Sequence, residues 1–321
     1  MYLRFLYLII LVCSTPALLL AQCCSQSCSM TTGDGSGLLE KKHLEVMSFY
    51  KHSYSDKYLR GKEEYQFGTA GLALKNSYFD FMGLNIGYGI TDHLMIEVQG
   101  GYFGNKTQNF ANGAWLVGNG ISDISATLKM SVYRSKDTTV TIVASGGMKI
   151  PTGSYNDYTP EGIKLSRDVQ SGTGSYAGTI GFSAGIRILK KHKINLSSEF
   201  DYIGINPEEY QPGYGNTNYI STFIKLFDGC SLMAMIKNEN RTHDYYYDLM
   251  QKSTGYVKVT ALPGLSYEFP REWMVSVIGD LPLYQYFNGL QFASQYAFSV
   301  SLKKTFELHR HTNKSIEPVI N

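Results

Sequence analysis

The stretch Thr139-Val140-Thr141-Ile142-Val143-Ala144-Ser145-Gly146-Gly147-Met148-Lys149-Ile150-Pro151-Thr152-Gly153-Ser154 decides the fold. Val140, Ile142, Ala144, Gly146, Met148 and Ile150 form one set, and Thr139, Thr141, Ser145, Gly147 and Lys149 alternate with them. A period of two places the sets on opposite faces of a strand, one apolar and one wet. Pro151 and Gly153 then end it, because proline donates no ladder hydrogen bond and glycine accepts turn geometry. About ten alternating residues are what a tilted strand needs to cross a lipid core.

The same pattern recurs along the chain. Strands are expected near 43–54, 78–88, 93–103, 121–133, 139–150, 175–189, 193–205, 219–227, 231–240, 256–269, 273–283 and 292–306. The joints between them alternate in length. Gly89–Asp92, Arg134–Asp137, Lys190–His192, Asp228–Cys230 and Pro270–Glu272 are short. Ser55–Ser77, Gly104–Gly120, Pro151–Gly174, Asn206–Gly215, Arg241–Thr254 and Tyr284–Leu290 read as the long joints.

An even number of strands with this asymmetry predicts an all-β, transmembrane, antiparallel up-and-down β-barrel of about twelve strands, with short periplasmic turns and long extracellular loops. Closure leaves no unpaired sheet edge in lipid. The barrel is expected over 41–306, ending in the outward stripe Tyr296, Phe298, Val300, Leu302 and Phe306, with a polar periplasmic tail over 307–321. A soluble β-sandwich alternates too, but its loops need not sort by parity.

Composition agrees with strands. The chain has 25 Tyr, 16 Phe and 32 Gly, and charged residues make up only 17%. Aromatic residues at that level suit strands and interfacial girdles. A net charge of +2 supplies no field to draw nucleic acid, so the expected surroundings are outer-membrane lipid and lipopolysaccharide.

Residues 1–21 read as a signal peptide cleaved near Ala21: Arg4 comes first, and the apolar run after it is broken at Cys13-Ser14-Thr15-Pro16. Residues 22–40 read as a loose Cys-, Ser- and Gly-rich periplasmic lead-in. Three alternatives stand for Cys23, Cys24 and Cys28: a disulfide within an exposed tail, lipidation of Cys23 after a lipobox-like Leu20-Ala21-Gln22, or a soft-metal site. No cofactor is called for.

With the apolar stripes facing lipid, the opposite residues line the lumen. The candidates are Glu97 and Gln99, then Asp123 and Lys129, Lys149, Arg187, and Glu199 and Asp201. Lys225, Lys237, Glu239, Asp280 and Lys303 complete a polar set of both signs. Such charges also satisfy one another and stiffen the wall. No catalytic constellation emerges: His52 and Ser53 point to opposite faces of one strand, and His243-Asp244 sits in a loop with Tyr245-Tyr246-Tyr247.

At Gly118-Asn119-Gly120-Ile121-Ser122-Asp123, Met148-Lys149-Ile150-Pro151-Thr152-Gly153 and Gly172-Thr173-Gly174-Ser175, the chain resembles the outer-membrane barrel family named for the MetA pathway of phenol degradation. The leader followed by paired cysteines is similar to barrels of Bacteroidetes-type bacteria. The resemblance implies passive movement of small, aromatic or hydrophobic solutes, and it carries no catalytic residues. The reading beside it is a plugged structural or recognition barrel acting through its tyrosine-rich loops.

Overall fold

A computed structural model describes residues 38–66, 73–189 and 192–308. The signal peptide, nearly all of the lead-in, its three cysteines and the polar tail beyond Leu308 lie outside the described residues.

Sixteen strands occur among them. The first half of the chain holds β1 (His43–Gly61), β2 (Glu63–Tyr65), β3 (Leu74–Thr91), β4 (Leu94–Phe110), β5 (Trp115–Ile121), β6 (Ile124–Arg134) and β7 (Val140–Ile150). Then come β8 (Ala177–Leu189), β9 (His192–Ile203), β10 (Tyr210–Gln211), β11 (Gly215–Phe227), β12 (Cys230–Arg241), β13 (Tyr245–Tyr246), β14 (Leu249–Met250), β15 (Tyr256–Phe269) and β16 (Trp273–Glu307).

Thirteen strands form one antiparallel sheet, which closes through pairing of β16 with β1. Two of the thirteen, β2 and β5, lie off the ring, which leaves eleven. A ring in which every neighbour is antiparallel closes only on an even number of crossings, and β16 supplies the twelfth by doubling back. Its Trp273–Phe287 part pairs with β15 and its Leu290–Glu307 part with β1. Ser276 and Ser301, on the two parts, have their hydroxyls 2.6 Å apart. The fold-back falls at Asn288-Gly289, with Gly289 at φ +66°, a left-handed conformation that glycine takes without steric cost.

The expectation of a loop over Tyr284–Leu290 is therefore corrected to a tight turn between two long runs. Gly104–Gly120 is corrected too: β4 runs on to Phe110 and pairs with β5, so this polar joint is a β-hairpin rising above the wall.

Outward residues form an apolar belt. Met82, Leu84, Leu128, Met148, Ile180, Phe182, Ile220, Leu265 and Val277 are all exposed. A contiguous surface of this kind belongs against lipid. Aromatic rings edge it at both ends. Trp273, Phe269 and Phe306 mark the short-turn end, and the stacked pairs Tyr54–Tyr296 (5.5 Å) and Tyr202–Tyr214 (5.3 Å) mark the long-loop end.

Inside, the short-turn half of the lumen is filled with apolar side chains. Met47, Phe49, Phe81, Phe103, Tyr219, Met233, Met235, Leu262 and Ile278 form one buried cluster. Leu38 and Leu39, near the end of the lead-in, pack with Met95 and Val143 in another. The interior at this end thus mixes an apolar fill that the alternation did not predict with buried polar groups such as Glu45, Lys303, Ser276 and Ser301.

Candidate functional site

The site is built by strand parity and by one loop that folds inward. On β1, β4, β12 and β16, the inward residue next on the long-loop side of the apolar fill carries a charge. Phe49 is followed by Lys51, Met95 by Glu97, Met235 by Lys237 and Ile278 by Asp280, each two residues on and on the same face. The charged residues thereby ring a cavity of about 480 Å³ whose base includes Phe79, Phe81 and Phe103.

The loop over residues 151–176 forms one side of the cavity. Val169 is 1% exposed, and Leu165, Gln170, Ser171 and Ser175 are buried with it. Lys106 Nζ donates to the Gln170 carbonyl at 2.6 Å, and the Ser166 hydroxyl donates to Gln108 Oε1 at 2.9 Å.

Asp123 holds the base of this loop. Its carboxylate accepts from Gly153 N (3.1 Å), Thr173 N (3.1 Å) and Thr173 Oγ1 (2.7 Å), with Lys149 Nζ at 3.4 Å. Beside it Gly172 N donates to the Ser154 carbonyl at 2.7 Å. The two strands of the loop cross so closely that a Cβ on Gly172 would stand 2.4 Å from the Gly153 carbonyl carbon. The three motifs singled out in the sequence therefore meet at one point and form a clamp.

Of the lumen candidates, Glu97, Gln99, Asp123, Lys129 and Lys149 line the cavity on one side, with Glu199 and Asp201. Lys237, Glu239 and Asp280 line the other. The ion pairs are Lys129–Glu97 at 2.8 Å, Lys237–Glu239 at 3.0 Å and Lys51–Asp280 at 3.1 Å. Three candidates lie elsewhere. Lys303 pairs with Glu45 at 3.0 Å, lower in the barrel. Lys225 is half-exposed beside Asp228 at a short turn, and Arg187 is exposed near the end of β8, because each sits where its strand leaves the wall.

Lys51, Lys106, Arg167, Arg241 and Lys258 also line the cavity and were not selected from the sequence. Parity was signal enough for Lys51, which opposes the apolar set of β1. Arg167 carries no strand periodicity, so only the folded loop reveals it. Its guanidinium lies 3.6 Å from the Tyr210 ring centroid and 5.3 Å from that of Tyr246.

The Tyr210 hydroxyl donates to Asp244, which also accepts from Gly213 N at 2.8 Å. Burial and then the Asp244 charge raise the Tyr210 pKa well above the usual phenol range, so this donor keeps its proton. Asp168 is exposed to the cavity, and the protein packed around it pushes its carboxyl pKa up despite nearby Lys106.

The two histidine pairs take other places. His52 faces outward, its Nδ1 2.8 Å from Asp80, while Ser53 lines the cavity. His243 is held through Nδ1 at the Gln251 carbonyl (3.2 Å) and Nε2 at Asn288 (3.1 Å).

The chain matches no protein-family model and no curated protein. Among solved structures it is similar to an outer membrane channel from Pseudomonas putida F1, with a TM-score of 0.69 at 14% identity, over 86% of this chain and 99% of that one. The KdgM porin in complex with oligogalacturonate gives 0.44 at 9% identity, over 81% and 99%. The toluene transporter TbuX of Ralstonia pickettii gives 0.42 at 9% identity, over 85% and 92%. At these identities the likeness is one of fold: a closed antiparallel barrel of the outer-membrane type.

Proposed function

We propose that this protein is a passive transporter of the bacterial outer membrane that admits small solutes from the long-loop side. The observation that carries the reading is the charged cavity of about 480 Å³, enclosed by a barrel whose outer surface is an apolar belt. Passive movement needs no cofactor, and a volume of this order accommodates a small molecule. The fold likeness to an outer membrane channel supports this assignment. The leader over residues 1–21 supports export, and the aromatic girdles support contact with lipid and lipopolysaccharide. The aromatic base of Phe79, Phe81 and Phe103 favours solutes with an apolar part.

A second reading is favoured by a specific observation. The apolar fill around Phe49 and Met235, with Leu38 below it, occupies the short-turn half of the lumen. A barrel closed there would act as a recognition surface through Tyr245, Tyr246 and Tyr247, of which Tyr247 is the most exposed. Swelling of vesicles containing the refolded protein separates the two. Entry of a small neutral sugar faster than into protein-free vesicles supports transport; swelling equal to the protein-free control, from a barrel with heat-shifted gel mobility, overturns it.

A further inference from the structure

The apolar fill does not occupy the whole circumference of the lumen. Its main cluster draws on β1, β3, β4, β11, β12, β15 and β16, and no member is more than 7% exposed. β8 and β9 contribute nothing to it, nor to the cluster around Leu38. On β8 the inward positions below cavity-lining Thr179 are Gly181, Ser183 and Gly185. On β9, Ser197 and then Asn195 continue from cavity-lining Glu199 toward the short-turn end. Ser183 pairs with Ser197 and Gly185 with Asn195, so the two strands present one strip with no side chain larger than asparagine.

Val143 flanks this strip on β7 and Tyr219 on β11, both buried. Ser183 and Ser197 face inward yet keep part of their surface open, which the fill does not. Small residues alone would mean only that neighbouring groups pack close. Asn195 adds a second fact. It is 5% exposed, its Nδ2 reaches Ser221 Oγ at 3.5 Å, and its Oδ1 has no hydrogen-bond partner among the described residues. A buried acceptor without a donor is costly, and native interiors rarely keep one. Gly185, paired with it, has no side chain to offer.

We infer that the cavity continues along β8 and β9 as a narrow, uncharged limb that admits a solute bearing hydroxyl groups, with Asn195 Oδ1 accepting from one of them. The inference rests on the solute-admitting reading above and names the side of the lumen that the solute follows. From Gly181 to Asn195 the strip carries no charge, so an ion would shed water there without a counter-charge. A hydroxyl instead exchanges water for Ser183, Ser197 and Asn195.

Uncharged 2-hydroxyethyl methanethiosulfonate probes the limb in the refolded chain with every native cysteine replaced by serine, and heat-shifted gel mobility shows that each variant is folded. Ser183→Cys and Ser197→Cys should gain the mass of the label at least about tenfold faster than Ser276→Cys, at a serine on β16 that is buried beside the fill. Labelled Ser183→Cys should then admit L-arabinose to vesicles about tenfold more slowly than before labelling, and Asn195→Leu should slow its entry about fivefold. Ser197→Cys takes the place of Ser183→Cys if the latter does not fold.

Labelling of Ser276→Cys as fast as Ser183→Cys, no labelling of Ser183→Cys and Ser197→Cys, or arabinose entry unchanged by the label or by Asn195→Leu would overturn the inference. An unlabelled barrel that admits no arabinose overturns transport instead, and the labelling rates then decide alone whether the limb is open.

Discussion

Asp123 accepts hydrogen bonds from both the backbone N–H (3.1 Å) and the hydroxyl (2.7 Å) of Thr173, fifty residues along the chain. With Gly153 N on the other oxygen and Lys149 alongside, one carboxylate fixes both ends of the infolded loop. Cavity shape therefore depends on this one carboxylate and the loop it holds.

Asp123→Ala should release that loop. It removes three acceptor contacts and the carboxylate beside Lys149, a loss of about 2–3 kcal/mol. Limited proteolysis should cut within residues 151–176 in the variant and not in the native barrel. Identical cleavage patterns would show that the clamp does not hold the loop.

The crossing of Gly153 and Gly172 leaves no room for a side chain. Gly172→Ala would place a Cβ 2.4 Å from the Gly153 carbonyl carbon, whereas a Cβ at Gly178 meets nothing within 4 Å. The first change should cost about 1–3 kcal/mol and the second almost nothing, read as urea midpoints in lipid vesicles. Equal midpoints would contradict the close crossing.

Alternation marked the twelve crossings because lipid on one face and polar groups on the other force a period of two. The motifs around Asp123, Lys149 and Thr173 were visible, but not that they touch, since their meeting depends on a loop with no periodicity of its own. The apolar fill escaped for a related reason. Phe81 faces inward beside outward Met82, and two adjacent apolar residues erase the alternation that assigns a face. Asn288-Gly289 carried a hairpin signal that the surrounding tyrosines hid.

The outer surface makes its own prediction. Phe182, near mid-height on β8, is 61% exposed. On a soluble protein Phe182→Arg would be close to neutral, but at a lipid-facing position it should cost about 2–4 kcal/mol. Folding equilibria in vesicles measure this, and an unchanged equilibrium would argue against lipid at that face.

The short turn between β6 and β7 should show a pH signature. Asp137 accepts from Ser135 Oγ (2.7 Å), Thr139 N (3.2 Å) and Thr139 Oγ1 (2.7 Å), and these bonds lower its pKa from 3.8 to about 2. The folded turn favours the ionised form, so its contribution is complete above pH 3.8 and is lost as pH falls through about 2. Carboxyl NMR shifts should titrate near that lower value, and a midpoint at 3.8 would contradict the turn geometry.

Single-channel recording of the refolded chain in a planar bilayer tests the central claim most directly. The account predicts discrete openings far smaller than those of wide porins, which need about 16–18 strands, because the apolar fill narrows the lumen. It also predicts that Lys149→Gln shifts ion selectivity while Arg187→Gln, outside the cavity, does not. A barrel that folds and inserts but never opens, in any salt, would contradict transport and leave recognition through the tyrosine-rich loops.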